Sequence, residues 1–468
     1  MQEITASQSV AYLSPEDEEM ERQREYIRSI RDLTDRPQTY PVVTYGCQMN
    51  AHDSEKIAGM LEEMGLTYSP ERDSADFVIF NTCCVRDNAE RRALGNVTWL
   101  KEVRKTNPKL MIGVCGCMIQ EPGMAEKIIR QYGFIDLAFG TAVLHRFPEL
   151  FWSALHSDHV VLEVGGQDSV VEGMPVQRLR QDFAYVSIMQ GCNNFCTYCI
   201  VPYVRGRERS RNMRDIVREV EKLRDGGVQE IMLLGQNVNS YSGDGTFPEL
   251  LRQLDQTGIP RIRFMTSHPK DLSSELIRVM GESQHVLPQF HLPVQAGSNE
   301  ILRRMNRRYT RESYLEKVHL LREAVPGIGL TTDIMISFPG ETEEQFLDTL
   351  NLVDEVGYDS AFTFIYSPRT GTPAEKMPDQ VPPEVSKERI QRLIDLQTKR
   401  QMEVMRRFVG SPEEVLVEGI SRRNLQEVSG RGRHGVSVTL PGTEEDIGKI
   451  VKVLVTDVKQ NTLTATRL

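Results

Sequence analysis

AYVSIMQGCNNFCTYC, residues 184–199, is the stretch from which the rest of the chain can be read. AYVSIM is a short apolar run of the kind that forms a buried strand. Directly beyond it stand Cys192, Cys196 and Cys199, with three and then two residues between them. In α/β barrels the carboxyl ends of the strands carry the site, so a thiol triplet there is placed for chemistry. A [4Fe–4S] cube ordinarily takes four thiolates. Only three lie together here, and no fourth cysteine follows closely. A three-ligand cluster leaves one iron open, whereas structural zinc closes its four positions.

Further runs like the first follow at regular intervals: QEIMLL (229–234), RIRFMT (261–266), QFHLPV (289–294), LTTDIMISF (330–338) and AFTFIY (361–366). Helical patterns such as NMRDIVREVEKLRDGG and EEQFLDTLNLVDEVG lie between them. Six β/α units predict a partial (β/α)6 barrel rather than a full eightfold one. A helix over SKERIQRLIDLQTKRQMEVMRRFVG closes it. Beyond about 405, EEVLVEGIS, VSVTLPG, GKIVKVLVTDV and TLTATRL are short strands broken by Gly, Pro and Asn, which predict a small antiparallel β-barrel.

Upstream, YPVVTYG, ADFVIFN, KLMIGVCG and FIDLAFG alternate with helical segments. One of these, AHDSEKIAGMLEEMG, has Asp53 or Ser54 as a cap and Gly65 as a stop. Continuously apolar strands between helices predict a parallel sheet covered on both faces. The fold class is therefore α/β throughout, ending in a small barrel. The domains are an acidic tail at 1–37, an α/β domain at 38–165, the barrel domain at 180–405 and a small β-barrel at 406–468, with a polar linker near 165–180.

The N-terminal strands carry a second cysteine pattern. Cys47, the pair Cys83 and Cys84, and the pair Cys115 and Cys117 each follow or end a predicted strand. Carboxyl ends of parallel strands face one crevice, so thiols about 35 residues apart are expected to converge. Placement alone does not choose between Cys83 and Cys84, or between Cys115 and Cys117.

The formal net charge of −10 argues against a uniformly basic nucleic-acid binder. Half of it lies in residues 1–35, where nine acids face four bases in what reads as a solvated tail or frayed helix. No run reaches the roughly 20 apolar residues of a membrane helix, and the N-terminus has no basic start or apolar core of a secretory signal. The expectation is a cytoplasmic protein with reduced thiols.

The spacing of Cys192, Cys196 and Cys199 resembles that of the radical S-adenosylmethionine (SAM) superfamily. The segments GCQMNAHDSE, NTCCVRDNAERR and GCM resemble the N-terminal motifs of the methylthiotransferases within it. The last domain resembles a TRAM domain. Together with YVSIMQGCNNFCTYCIVPYVRGRERSR and LLGQNVNSY, these motifs look like the tRNA-modifying branch that makes 2-methylthio-N6-isopentenyladenosine at position 37, beside the anticodon.

The resemblance implies two [4Fe–4S] clusters: an auxiliary one on Cys47, Cys83 and Cys117, and a radical SAM one on Cys192, Cys196 and Cys199. Cys84 and Cys115 fall outside the pattern. Two SAM molecules are implied, one methylating a sulfur of the auxiliary cluster and one yielding the radical that takes hydrogen from C2 of the adenine. An aromatic C–H has no acidity for acid–base groups to exploit, so both centres are expected to open onto one dry cavity. SAM contacts implied by position are Tyr198, Gln236, Asn237, Gln295 and Ser298; helix capping is the ordinary alternative for such polar residues. Gln236 and Asn237 stand where the family has Gly-Gly-Glu.

An RNA substrate needs basic groups. Arg205, Arg207 and Arg209, with Arg211, follow the central triad at alternate positions. Arg303, Arg304, Arg307, Arg308 and Arg311 form a second group, for which a solvated helix face is the alternative. The last domain carries Arg422, Arg423, Arg431 and Arg433. Such groups suit phosphates, and removing the chain beyond about 405 is expected to weaken tRNA binding while both clusters stay. Other expected partners are an electron donor and a cluster or sulfur supply. Gly430, Gly432 and Gly435 spell G-x-G-x-x-G without a strand–turn–helix, so a barrel loop is expected there. Competing readings are methylthiolation of threonylcarbamoyl-adenosine in tRNA or of a ribosomal-protein aspartate, and, in a different class, an iron–sulfur electron-transfer protein.

Overall fold

The computed structural model describes residues 15–84, 87–165 and 172–468. Residues 1–14 of the acidic segment and 166–171 of the expected linker lie outside them. The chain divides into two compact units, Met1–Gln177 and Arg178–Leu468.

In the first unit, β1 (Val42–Thr44), β2 (Phe77–Thr82), β3 (Met111–Gly116), β4 (Leu137–Phe139) and β5 (Val161–Glu163) form a parallel sheet in chain order. Alternate residues feed two cores, as the period of a strand requires. Phe77, Ile79, Leu137 and Phe139 pack with helices Gln48–Glu63 and Phe147–Leu155. Val78, Phe80, Ile112 and Val114 pack with helices Asp87–Val103 and Met124–Gln131.

Two details differ from the sequence reading. Helix Gln48–Glu63 starts at Cys47, not at Asp53 or Ser54, which are buried inside it. The acidic segment from Pro15 to Arg31 is a packed helix, not a solvated tail. Met20, Gln23, Ile27 and Ile30 make a buried stripe at helical spacing, which the acidic total conceals. Ile27 and Ile30 join the core of helix Phe147–Leu155, and Gln23 donates to Glu149 at 3.3 Å.

In the second unit, β6 (Phe183–Ser187), β7 (Glu230–Leu234), β8 (Arg261–Phe264), β9 (Gln289–His291), β10 (Gly329–Ile336) and β11 (Ser360–Ile365) are parallel. They form ladders β6–β7–β8 and β9–β10–β11, linked by a parallel bridge between Ile262 and Val286. Among the described residues no ladder joins β6 to β11, so the barrel is open. Ile231, Leu233, Phe264, Phe290, Leu330 and Ile334 belong to one apolar core with the surrounding helices.

The last strands, β12 (Pro412–Ile420), β13 (Glu427–Gly432), β14 (Ser437–Pro441), β15 (Ile450–Lys459) and β16 (Thr462–Arg467), close a barrel in the order β12-β13-β14-β16-β15. It is not wholly antiparallel, because β14 and β16 pair in parallel. Gly430 and Gly432 lie in β13 rather than in a loop; a Cβ at Gly430 would sit 2.2 Å from the Leu416 carbonyl oxygen, so the strand pair needs glycine there. Among the described residues no helix is long and apolar enough to cross a membrane.

The small barrel is bound to the amino ends of the parallel strands, away from the ends that carry the thiols. Glu230 lies 2.8 Å from Arg261 and 3.0 Å from Arg263, all three being nearly inaccessible. The remaining donors reach across: Arg261 Nη2 to the Arg431 carbonyl at 2.9 Å and Arg263 Nη2 to that of Gly432 at 3.1 Å. Arg407 pairs with Asp359 at 2.6 Å on the same side. Burial works to raise the Glu230 carboxyl, but Arg263 and Arg261 outweigh it and hold it below the usual range.

Removing one partner of a buried pair leaves charge stranded. Glu230→Gln is expected to lower the stability of this unit by roughly 3–5 kcal/mol, read from denaturant midpoints. The folded value being lowered, the pair's contribution is present above the ordinary carboxylate range and is lost as pH falls through the lowered value. The variant should therefore show a shallower acid-side loss than the wild type.

Candidate iron–sulfur centres

The central triad occupies the loop after β6. Cys192 and Cys196 are buried and Cys199 partly so. Each sulfur receives an N–H: Cys192 from the Asn194 backbone, Cys199 from the Val201 backbone, and Cys196 from Arg307 Nη1 at 3.4 Å. Burial pushes the Cys192 thiol up to about 11 and the Cys199 thiol up to about 12, against those backbone N–H groups. A metal's positive charge is what turns such buried thiols into thiolates. The donor set thus suits three thiolates at corners of a cluster.

Several strands and turns position this loop. Gly191 has φ +77°, and a Cβ there would lie 2.0 Å from the Arg207 carbonyl oxygen. Gln236, beyond β7, accepts from the Gly191 N–H, which ties it to the triad loop. Asn237 is buried; its amide donates to Asp271 at 2.7 Å and its Oδ1 has no partner among the described residues. Tyr198 takes a hydrogen bond from Arg307 at 3.4 Å and meets Phe338 edge-on. Gln295 is buried with φ +69°, its backbone bonded to Asp333 and Met335. Ser298 holds the N-cap position of helix Asn299–Arg304 without a side-chain cap bond.

The sequence, which gives His268 no metal-ligand spacing partner, offers it as a capping, hydrogen-bonding or substrate-contact residue, and the structure makes it the cap of the short helix Pro269–Asp271. Its Nδ1 accepts from the Lys270 N–H at 3.2 Å, so the neutral ring carries its proton on Nε2, which has no partner among the described residues. Burial, then Arg307 and nearby lysines, hold the imidazole far below its usual range. The ring meets Tyr309 edge-on, and the Tyr309 hydroxyl accepts from Arg307 at 2.9 Å. An unpartnered acceptor and an unpartnered donor therefore lie within a few side chains of the triad.

The N-terminal thiols also gather at strand ends. Cys47 caps helix Gln48–Glu63, and its Sγ donates to Asn50 Oδ1 at 3.2 Å. A Cβ on Gly46 would lie 2.5 Å from that of Cys83, which places Cys83 beside the Cys47 turn. Cys84 hydrogen-bonds Cys117 and lies within electrostatic reach of Cys83. Cys115 instead joins the core with Phe77 and Ile79, where burial pushes its thiol well up. Behind the thiols Asn50 Nδ2 donates to Asn81 Oδ1 and the Thr82 carbonyl, both at 3.0 Å. Asn81 Nδ2 returns to the Asn50 carbonyl at 2.8 Å. Both asparagines lie within three residues of a motif cysteine, which is the signal that would have found them. Among the described residues no three Cys, His, Asp or Glu side chains grip a single metal ion; a cube takes each thiolate at a different corner and does not demand that grip.

The arginines separate by environment. Arg205 and Arg211 are buried, Arg211 against Glu219 at 2.7 Å, while Arg207 is exposed over the Phe195 ring. Arg209 is half-buried, donating to the Arg205 carbonyl at 3.3 Å. Arg303 and Arg304 pair with Glu300, and Arg311 with Glu355. Arg433 reaches Glu414 and the Gln284 carbonyl at the seam, and Arg431 lies 3.7 Å from Glu418. Arg422 and Arg423 are exposed in the loop between β12 and β13.

An open six-stranded β/α barrel with this thiol loop beyond its first strand defines a radical SAM enzyme. The Radical SAM superfamily profile matches residues 186–353, that of "Uncharacterized protein family UPF0004" residues 39–140, and that of the TRAM domain residues 406–468. The tRNA-2-methylthio-N(6)-dimethylallyladenosine synthase of Acetivibrio thermocellus is 49% identical over 472 residues, covering 98% of both chains. That of a Thermoanaerobacter species is 50% identical over 454 residues, covering 96% of each. The chain belongs to the tRNA-2-methylthio-N(6)-dimethylallyladenosine synthase family. Among solved structures, the radical SAM methyltransferase TsrM from Kitasatospora setae matches 72% of this chain and 77% of its own, at 16% identity and TM-score 0.54. The cobalamin-dependent radical SAM enzyme OxsB matches 79% and 56%, at 12% identity and TM-score 0.51. These two likenesses concern the fold.

Gly191→Ala adds both the strained φ and the clash with Arg207. It is expected to bind less iron on reconstitution, measured by iron analysis, while the far-ultraviolet circular dichroism stays that of the wild type.

Proposed function

We propose that the chain methylthiolates C2 of N6-isopentenyladenosine beside the anticodon of tRNA, using two [4Fe–4S] clusters and SAM. The observation that supports this most is the triad itself: three thiols in one loop, each facing an N–H donor, with Asn237 Oδ1 and His268 Nε2, unpartnered among the described residues, nearby. When bound, the central cluster supplies an electron to SAM and so the means of breaking an unactivated C–H bond.

The chain's own residues hold and shield. Cys192, Cys196 and Cys199 ligate; Cys47, Cys83 and Cys117 take the auxiliary cluster, a choice resting on the family motifs. Tyr198, Gln236, Asn237, Gln295 and Ser298 bound the SAM site, with Gln236 acting through the loop it braces. Cys84→Ala and Cys115→Ala are expected to keep full iron content, and Cys47, Cys83 or Cys117→Ala to lose about one cluster's iron. Iron loss from Cys84→Ala equal to that from Cys83→Ala would reject the assignment.

RNA contact is assigned to Arg207 by the triad and, in the C-terminal barrel, to Arg422 and Arg423. Of the other arginines first considered, Arg205 is buried, Arg209 is bonded to the Arg205 carbonyl, and Arg431 and Arg433 have acidic neighbours. Deleting residues beyond 405 would uncover Arg261, Arg263 and Glu230, so that truncation tests folding together with binding. Replacing Arg422 and Arg423 by Glu is the cleaner test: tRNA affinity should fall, and the slope of log affinity against log salt should decrease by about one per arginine, with iron content unchanged.

The reaction is tested by mass spectrometry of tRNA nucleosides from a host lacking the activity, with and without this chain. 2-Methylthio-isopentenyladenosine should appear and vanish with Cys192→Ala. If isopentenyladenosine stays unmodified although the protein holds two clusters, the substrate is wrong, and the threonylcarbamoyl base and the ribosomal protein become the next targets. Failure to release 5′-deoxyadenosine from SAM with a reductant would leave an electron-transfer protein.

A further inference from the structure

Arg307 is 4% exposed, yet among the described residues no carboxylate pairs with it. Burying a guanidinium without counter-charge is costly, so such a group marks a place where negative charge is to be met. All three of its nitrogens donate: Nε to the Tyr309 hydroxyl at 2.9 Å, Nη2 to the Pro293 carbonyl at 2.9 Å, and Nη1 to the Cys196 sulfur and the Tyr198 hydroxyl, each at 3.4 Å. Three of these acceptors are neutral. The sulfur is the one that becomes an anion.

The backbone around Arg307 is built to keep it there. Asn306 and Arg308, its two neighbours, both have φ +58°, a conformation costly for side-chain-bearing residues and kept only where the surroundings enforce it. Asn306 Nδ2 donates to the Asn194 and Phe195 carbonyls at 3.2 and 3.0 Å. The Thr197 N–H donates to the Met305 carbonyl at 3.1 Å, and the Thr197 hydroxyl to that of Arg304 at 2.9 Å. The segment 304–307 is thus strapped along the cysteine loop, with the guanidinium delivered to its middle thiol.

Hydrogen bonds to cluster sulfurs and nearby charge set a cluster's reduction potential. We propose that Arg307 is a positioning residue for the reaction, raising the potential of the cluster on Cys192, Cys196 and Cys199 by donating to the Cys196 sulfur. In the step concerned, an external one-electron donor is oxidised and the cluster with its thiolates becomes one unit more negative. No proton moves, because the guanidinium is already charged. A fixed buried cation favours the reduced form. This inference rests on the cluster assignment proposed above.

The test is redox titration of reconstituted full-length enzyme without SAM, followed by electron paramagnetic resonance. Signals are assigned to the central cluster by their loss in Cys192→Ala. Arg307→Gln should keep its iron and titrate at a more negative potential than the wild type, with Arg307→Lys between them and the auxiliary cluster unmoved. An unchanged potential in iron-loaded Arg307→Gln overturns the inference while the cluster assignment stands. An unchanged potential with weaker SAM binding also overturns it, and gives Arg307 to the SAM carboxylate. Absence of any signal lost in Cys192→Ala overturns both. Should Arg307→Gln fail to hold its cluster, wild type labelled with 15N-arginine decides. A 15N hyperfine coupling to the reduced central cluster supports the inference, and its absence overturns it.

Discussion

Sulfur can be carried as an anion away from water only where N–H groups and positive charge replace the water it gives up. Much of the structure around the triad follows from that constraint. Two of the three central sulfurs use backbone N–H groups two residues further on, which a tight loop supplies by itself. The third, in the middle of the loop, takes a donor from Arg307, more than a hundred residues away. The paired left-handed residues and the Asn306 and Thr197 bonds are what a long-range donor requires if it is to arrive at one sulfur.

The N-terminal unit meets the same constraint differently. There the thiols belong to separate strand ends, so no single loop can hold them. The reciprocal Asn50–Asn81 bonds join the first turn of a helix to the end of β2, and the Thr82 hydroxyl donates to the Cys115 carbonyl at 2.6 Å. Buried amides that satisfy one another are stiff, because any shift leaves polar groups unpaired. The helix start at Cys47 adds the positive end of a helix dipole to one thiol.

The seam beneath the barrel carries a different burden. Glu230, Arg261 and Arg263 lie at the starts of two adjacent barrel strands, where an ordinary barrel would place apolar filling. Their spare donors find carbonyls on β13, and this fixes the small barrel to the amino ends of the strands. Arginines of the last domain that looked free as a list are partly consumed here. Arg433 donates to the Gln284 carbonyl, while Arg422 and Arg423 stay in solvent.

The six barrel strands, the main strands of the N-terminal sheet and both groups of cysteines were legible in the chain, because apolar period and cysteine spacing are local properties. Fainter features were not. The helix at Pro15–Arg31 is written in a sparse stripe under many acids, β5 is three half-buried residues, and β13 contains two glycines. The sequence by itself determined the spacing of the cysteines and the strand ends that carry them. Only the tertiary structure decided that Cys115 turns into the core, that Gln236 braces the triad loop, and that Arg307, one arginine among five in its segment, is the buried one. The physical reason is that these roles depend on which groups lose water together, and that is settled by packing between residues far apart in the chain.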